Sequence, residues 1–160
     1  MLGNWLKNRY KTNDRSGFTI IEILVVLVII GILVVLIVST HAGIARNNRN
    51  VERQNDIQNI YKQMEAFYVN NSEYPTLADM NNPAWIKNNL PNLNRQVLRD
   101  PSSSSYKLVA GPQPRAYAYD VRAKDGSPCN NIKKICFHYT LTATLEAGAV
   151  HKTFTKSSLN

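Results

Sequence analysis

The stretch RSGFTIIEILVVLVIIGILVVLIV, residues 15–38, decides how this chain must be read. From Ile23 to Val38 every side chain is aliphatic except at Gly31, and Phe18 to Glu22 extend the segment to 21 residues, 18–38. At about 1.5 Å of rise per residue, such a helix crosses the roughly 30 Å hydrocarbon core of a bilayer. A helix buried in a water-soluble core would need an apolar coat on every side, and the rest of the chain is too short and polar to wrap one. A cleaved secretory signal fits poorly too. Its apolar stretch would run for about 7–15 residues and end at a small-x-small site. Here the run is longer, and His41 to Ala45 offers only a weak site.

Outward from this block, the helix does not stop at the membrane edge. No proline occurs between Ile44 and Tyr74, and Ile57, Ile60, Tyr61, Met64, Phe67 and Tyr68 recur at helical spacing among Asp, Gln, Asn, Lys and Glu. A wholly apolar half therefore runs into an amphipathic half, which Tyr74-Pro75-Thr76 ends because Pro75 pushes Tyr74 out of helical geometry. The charge is uneven. Of the formal +8, Lys7, Arg9, Lys11 and Arg15 against Asp14 give the leader +3, residues 18–70 balance four bases with four acids, and the remaining +5 lies beyond. A basic leader favours a cytoplasmic N-terminus, but Arg46, Arg49 and Arg53 follow the span closely and leave orientation open on charge alone.

Glu22 sits about one turn inside the apolar segment, where a charge costs roughly 2.5–3.5 kcal/mol at mid-bilayer and less near the interface. Two readings stand. A cut between Gly17 and Phe18 would place a new ammonium group four residues away at the start of the same helix, whose dipole also favours a carboxylate. Alternatively, Glu22 merely reaches up to the headgroups.

The run GFTIIEILVVLVIIGIL resembles the class III signal of type IV prepilins and pseudopilins: a glycine, a phenylalanine, a glutamate four residues later, and a long aliphatic helix. The resemblance implies that a prepilin peptidase cuts after Gly17 and that Phe18 becomes the N-methylated first residue. It also implies that Glu22 pairs with the Phe18 amino group of a neighbouring subunit during filament assembly. At motif strength it covers residues 15–40. It implies a single-pass inner-membrane protein, held in lipid with its N-terminus cytoplasmic, that an assembly platform stacks with copies of itself into a surface filament. Adhesion, twitching motility and DNA uptake are the family's usual outputs. Gly31 reads as a neutral packing position.

The domain reading is then a leader at 1–17, a transmembrane and assembly helix at 18–40, an amphipathic stem at 41–74 and a β-rich head at 75–160. In the head we expect a short helix near Trp85 to Leu90 and strands at 105–110, 115–122, around Phe137 to Leu145, and at 150–156. The third alternates Phe137, Tyr139, Leu141, Ala143 and Leu145 with polar residues, the period-two signature of a half-buried strand. The fold class is α+β: a long N-terminal helix on a small antiparallel sheet whose apolar face covers the Ile57 to Tyr68 stripe. The pilin resemblance implies the same ladle-shaped subunit.

Cys129 and Cys136 enclose six residues and form a disulfide if the head faces an oxidising compartment, the other reading being two unlinked thiols. Zinc is disfavoured by the spacing. Tyr74-Pro75-Thr76, Pro83-Ala84-Trp85 and Arg99-Asp100-Pro101 are similar to elements of the major pseudopilin of type II secretion, whose heads usually hold calcium near the C-terminus. The tail 147–160 has no carboxylate side chain for that ion, so no metal or other cofactor is expected. Lys133, Lys134, Lys152 and Lys156, with Arg115, Arg122 and Lys124, are candidate nucleic-acid contacts of a membrane-anchored binding pilin, against the plainer reading of a solvated face. His41, His138 and His151 form no recognisable catalytic motif, and there is no phosphate-binding glycine loop, so no enzymatic activity is expected.

Overall fold

A computed structural model describes residues 17–160; the leader residues before Gly17 lie outside it, as do the side chains of 38–41. Helix α1 runs over Ile20–Asn71, followed by α2 (Leu77–Met80), α3 (Pro83–Asn89), a 3-10 turn (Arg95–Leu98) and strands β1 (Tyr117–Arg122), β2 (His138–Thr144) and β3 (Thr153–Ser157). The chain divides into two compact units, one ending at Thr40 and one spanning His41–Asn160. In the first, the aliphatic side chains from Ile20 to Ile37 are all exposed, between 46% and 83%, so its described residues form no core.

The second unit is an α+β domain. Its sheet is antiparallel in the order β1-β2-β3, with Tyr119 opposite Leu141 and Leu141 opposite Lys156. The period-two pattern of β2 buries Tyr139, Leu141 and Ala143, and the helical stripe Ile57, Ile60, Met64 and Phe67 joins them in one core with Tyr74, Met80, Leu98, Tyr117 and Tyr119. Tyrosine hydroxyls in this core reach out to partners, as buried phenols must. Tyr119 donates to the Pro75 carbonyl (2.7 Å), Tyr139 to Glu65 Oε1 (2.7 Å) and Tyr117 to Asp56 Oδ2 (2.7 Å). Helix α1 ends at Asn71, short of Tyr74: Ser72 takes a left-handed φ of 58° while its N–H still reaches the Tyr68 carbonyl at 2.8 Å.

The expected strand at 105–110 does not form. Asn81 replaces a neighbouring strand there, accepting from the Leu108 N–H (2.8 Å) and donating to the Leu108 carbonyl (3.0 Å). Only Val109 bridges β1, at Ala118. The other three strands form within two or three residues of their expected starts. The short helix appears as α3, capped by Asn82, whose side chain accepts from the Ala84 and Trp85 N–H groups.

Arg53 is the largest polar side chain in the core, 1% exposed. Its Nε and Nη2 grip both oxygens of Asp100 (2.6 and 3.1 Å), and Nη1 reaches Asn50 Oδ1 (3.0 Å) and Glu146 Oε1 (2.9 Å). Arg49 adds a second guanidinium on Glu146 (2.7 Å), holding that carboxyl down to about 2. Asp100→Ala leaves a buried guanidinium short of its main partner. In urea unfolding of the detergent-solubilised chain it should cost about 3–5 kcal/mol, whereas Lys134→Ala, which breaks an exposed pair with Asp125, should cost under about 1 kcal/mol.

Asp56 behaves oppositely. Burial is the main cause lifting its carboxyl to about 6, with Glu52 and Asp100 adding to the lift and the Tyr117 hydroxyl opposing it. The native state thus binds more protons than the unfolded chain between about pH 4 and 6, and stability falls as pH rises through that window. Asp56→Asn should flatten this decline and raise stability at pH 7 by roughly 1–3 kcal/mol, read from urea midpoints at pH 4, 5, 6 and 7.

Candidate functional site

At the start of α1, Gly17, Phe18 and Thr19 precede the helix, and Phe18 is 78% exposed. Thr19 Oγ1 accepts the backbone N–H of Glu22 at 3.3 Å, half of the Ser/Thr-x-x-Glu arrangement that satisfies a helix N-terminus. That places Glu22 in the first turn, on the positive end of the helix dipole, with aliphatic side chains on all sides along about the next four turns. The Thr19 cap is a feature that sequence reasoning missed, although Thr-x-x-Glu was its signal. At Gly31 an added Cβ would meet nothing within 4 Å, so no contact inside the subunit requires glycine there.

Cys129 and Cys136 are joined, with Cα atoms 5.2 Å apart. The loop they close is fastened to the chain just past α1. The Cys136 carbonyl accepts from the Tyr74 N–H (2.8 Å), while Asn131 accepts from the Cys136 N–H (2.7 Å) and donates to the Tyr74 carbonyl (2.8 Å). Asn131 does this from a left-handed backbone, φ 55°.

The candidate nucleic-acid lysines are differently employed. Lys134 bonds Asp125 (2.8 Å) and Ser127 (2.7 Å), and Lys156 lies over the Tyr61 ring at 5.6 Å. Lys133 and Lys152 are exposed, the first in the disulfide loop and the second just before β3. Among the described residues no group of three His, Cys, Asp or Glu side chains converges as a metal site. His138 Nδ1 lies 2.7 Å from the Asn160 carbonyl oxygen, and His151 is exposed.

A family profile described as the prokaryotic N-terminal methylation motif matches residues 12–38, the junction and span together. The type II secretion system core protein G of Dickeya chrysanthemi is 31% identical over 106 residues, which cover 60% of this chain and 69% of that protein. The protein of the same name from Klebsiella michiganensis is 28% identical over 130 residues, covering 74% of this chain and 89% of the relative. The chain belongs to the type IV pilin and pseudopilin family. No solved structure matches it significantly. Membership explains a helix that is apolar all round and exposed along Ile20 to Ile37: such subunits sit in the membrane by this helix and then assemble with like subunits into a filament.

The disulfide should matter to the pilin-like head. Cys136→Ser should lower stability by about 2–3 kcal/mol, and alkylation without reductant should label neither thiol in the wild type. Two freely labelled cysteines in the native chain would contradict the pairing.

Proposed function

We propose that this chain is a structural, non-catalytic subunit of the filament of a type II secretion apparatus, cut between Gly17 and Phe18 and methylated on Phe18. The single observation that carries the assembly reading is a lone carboxylate, Glu22, in an exposed span that is otherwise uncharged from Ile20 to Ile37. The likeness to core protein G extends past the methylation motif into the head, which supports secretion over a surface pilus. A surface pilus is the second reading. It is favoured by the disulfide-closed head and by a tail, 147–160, without carboxylate side chains to hold calcium.

In either filament Glu22 pairs with the Phe18 ammonium of a neighbour in a low-dielectric bundle. Replacing the carboxylate leaves that ammonium unpaired, at a cost of several kcal/mol for each subunit added. Glu22→Gln should therefore insert into the membrane and lose its leader normally, yet give sheared filaments in far lower yield. Membrane fractionation, mass spectrometry of the mature N-terminus and filament yield measure these steps separately, and wild-type yield from the mutant would exclude the pairing. Deleting the gene should block export of secreted enzymes if the apparatus is secretory, and leave export intact if it builds a pilus.

A further inference from the structure

The two edges of the sheet are treated differently. The outer side of β1 is bridged by Val109 at Ala118 and by Pro128 at Arg122. Among the described residues nothing pairs with the outer side of β3. The ladder fixes which groups lie there. The Leu145 N–H reaches the Lys152 carbonyl (2.8 Å) and the Ser158 N–H reaches the Tyr139 carbonyl (3.0 Å). Lys152, Phe154, Lys156 and Ser158 therefore bond β2 through their backbone, and the N–H and C=O groups of Thr153, Thr155 and Ser157 point away from it. Devices that blunt such an edge are missing. Thr153–Ser157 has no proline, its register with β2 is unbroken by a bulge, and Lys156 is drawn over the Tyr61 ring of α1 (5.6 Å). The side chains form two rows. Thr153, Thr155 and Ser157 are exposed, with the Thr155 hydroxyl 3.3 Å from that of Thr142. Lys152, Phe154 and Lys156 make the other row, on the face of Leu141 and Ala143, where Phe154 packs against the core. No carboxylate side chain occurs from Ala147 to Asn160.

From this arrangement we infer that the outer edge of β3 takes up an extended acidic peptide segment of another protein as a fourth, antiparallel strand. Thr153, Thr155 and Ser157 present the row of unpaired donors and acceptors that templates a new strand. Side chains set what that strand must be. Opposite Lys152, Phe154 and Lys156, the favoured partners are an acid, an apolar residue and an acid at alternate positions, because cross-strand neighbours of opposite charge attract. The threonine row favours β-branched residues in between. A second copy of this chain is poorly suited to the task. Among the described residues outside the helices, its side-chain carboxylates are Glu73, Asp100, Asp120, Asp125 and Glu146, and all but the half-buried Glu73 are bonded to a base of their own chain. The edge lies within the head unit, so the inference stands whichever filament the chain builds.

The test uses the detergent-solubilised full chain and a fluorescein-labelled peptide, Val-Glu-Thr-Leu-Thr-Glu-Val, followed by fluorescence anisotropy at about 50 mM salt. Wild type should bind it saturably. Methylating the backbone nitrogens of both peptide threonines, whose N–H groups face Thr153 and Thr155 in the added strand, should weaken binding about tenfold or more. Methylating those of both peptide glutamates, which face away, should change it less than about threefold. Thr155→Pro removes an outward N–H and no bond to β2, so it should weaken binding about tenfold while near-ultraviolet circular dichroism stays that of wild type. Lys152→Gln with Lys156→Gln should weaken binding roughly three- to tenfold and flatten its salt dependence, whereas Lys87→Gln with Lys107→Gln, equal in charge removed, should change it less than about twofold. Equal losses from the two pairs would mean diffuse attraction and overturn the inference. So would equal tolerance of the two methylated peptides, or no binding by the wild type. Self-association of the wild type that Thr155→Pro abolishes, with no peptide bound, would give the edge to a second copy and overturn it too.

Discussion

A helix whose side chains are apolar on every side has to be covered by something other than its own chain, and that requirement governs this protein. The aliphatic side chains from Ile20 to Ile37 are all exposed, and lipid before assembly and like helices after it are surroundings in which they can be buried. In both, backbone hydrogen bonds are satisfied within the helix. A carboxylate finds no such local solution. Glu22 is tolerable at the first turn, where the Thr19 cap and helix dipole lie.

The head answers a different demand. It must hold a small sheet against one face of α1 with a modest core, and it does so with polar fastenings at both ends of the stripe. At one end Arg53 is buried among Asp100, Asn50 and Glu146, tying Asp100 and the second residue past β2 to the helix. At the other, Glu65 accepts from Tyr74 and Tyr139 while the disulfide loop bonds the Tyr74 backbone. Charged groups in such places fix register and position more than they add net stability, since each must repay its own desolvation.

The same fastening leaves the head's charge lopsided. Asp56, Glu65, Asp79 and Asp100 are bonded to phenols, a helix cap and Arg53, while most of the bases behind the +5 excess beyond residue 70 are exposed. Counting charges in the sequence placed that excess in the head. It could not show that Lys134 and Lys156 are already engaged or that Arg95 and Arg99 share a ring, because those facts join residues from different segments.

What the sequence determined by itself was whatever repeats over a few residues. The aliphatic run and its one glutamate, the 3.6-residue stripe from Ile57 to Tyr68, the alternation through β2 and the proline after the stem are all local patterns, and local sterics and burial fix their outcome. Tertiary structure alone decided matters that hinge on one distant partner. Leu108 belongs to no strand because a side-chain amide 27 residues earlier satisfies its backbone. Arg53, which reads as one more solvent-facing base after the span, is instead the most buried charge because Asp100, 47 residues away, closes on it. A hydrogen bond or ion pair between distant segments leaves no periodic trace in the chain, since its geometry exists only once both segments are packed.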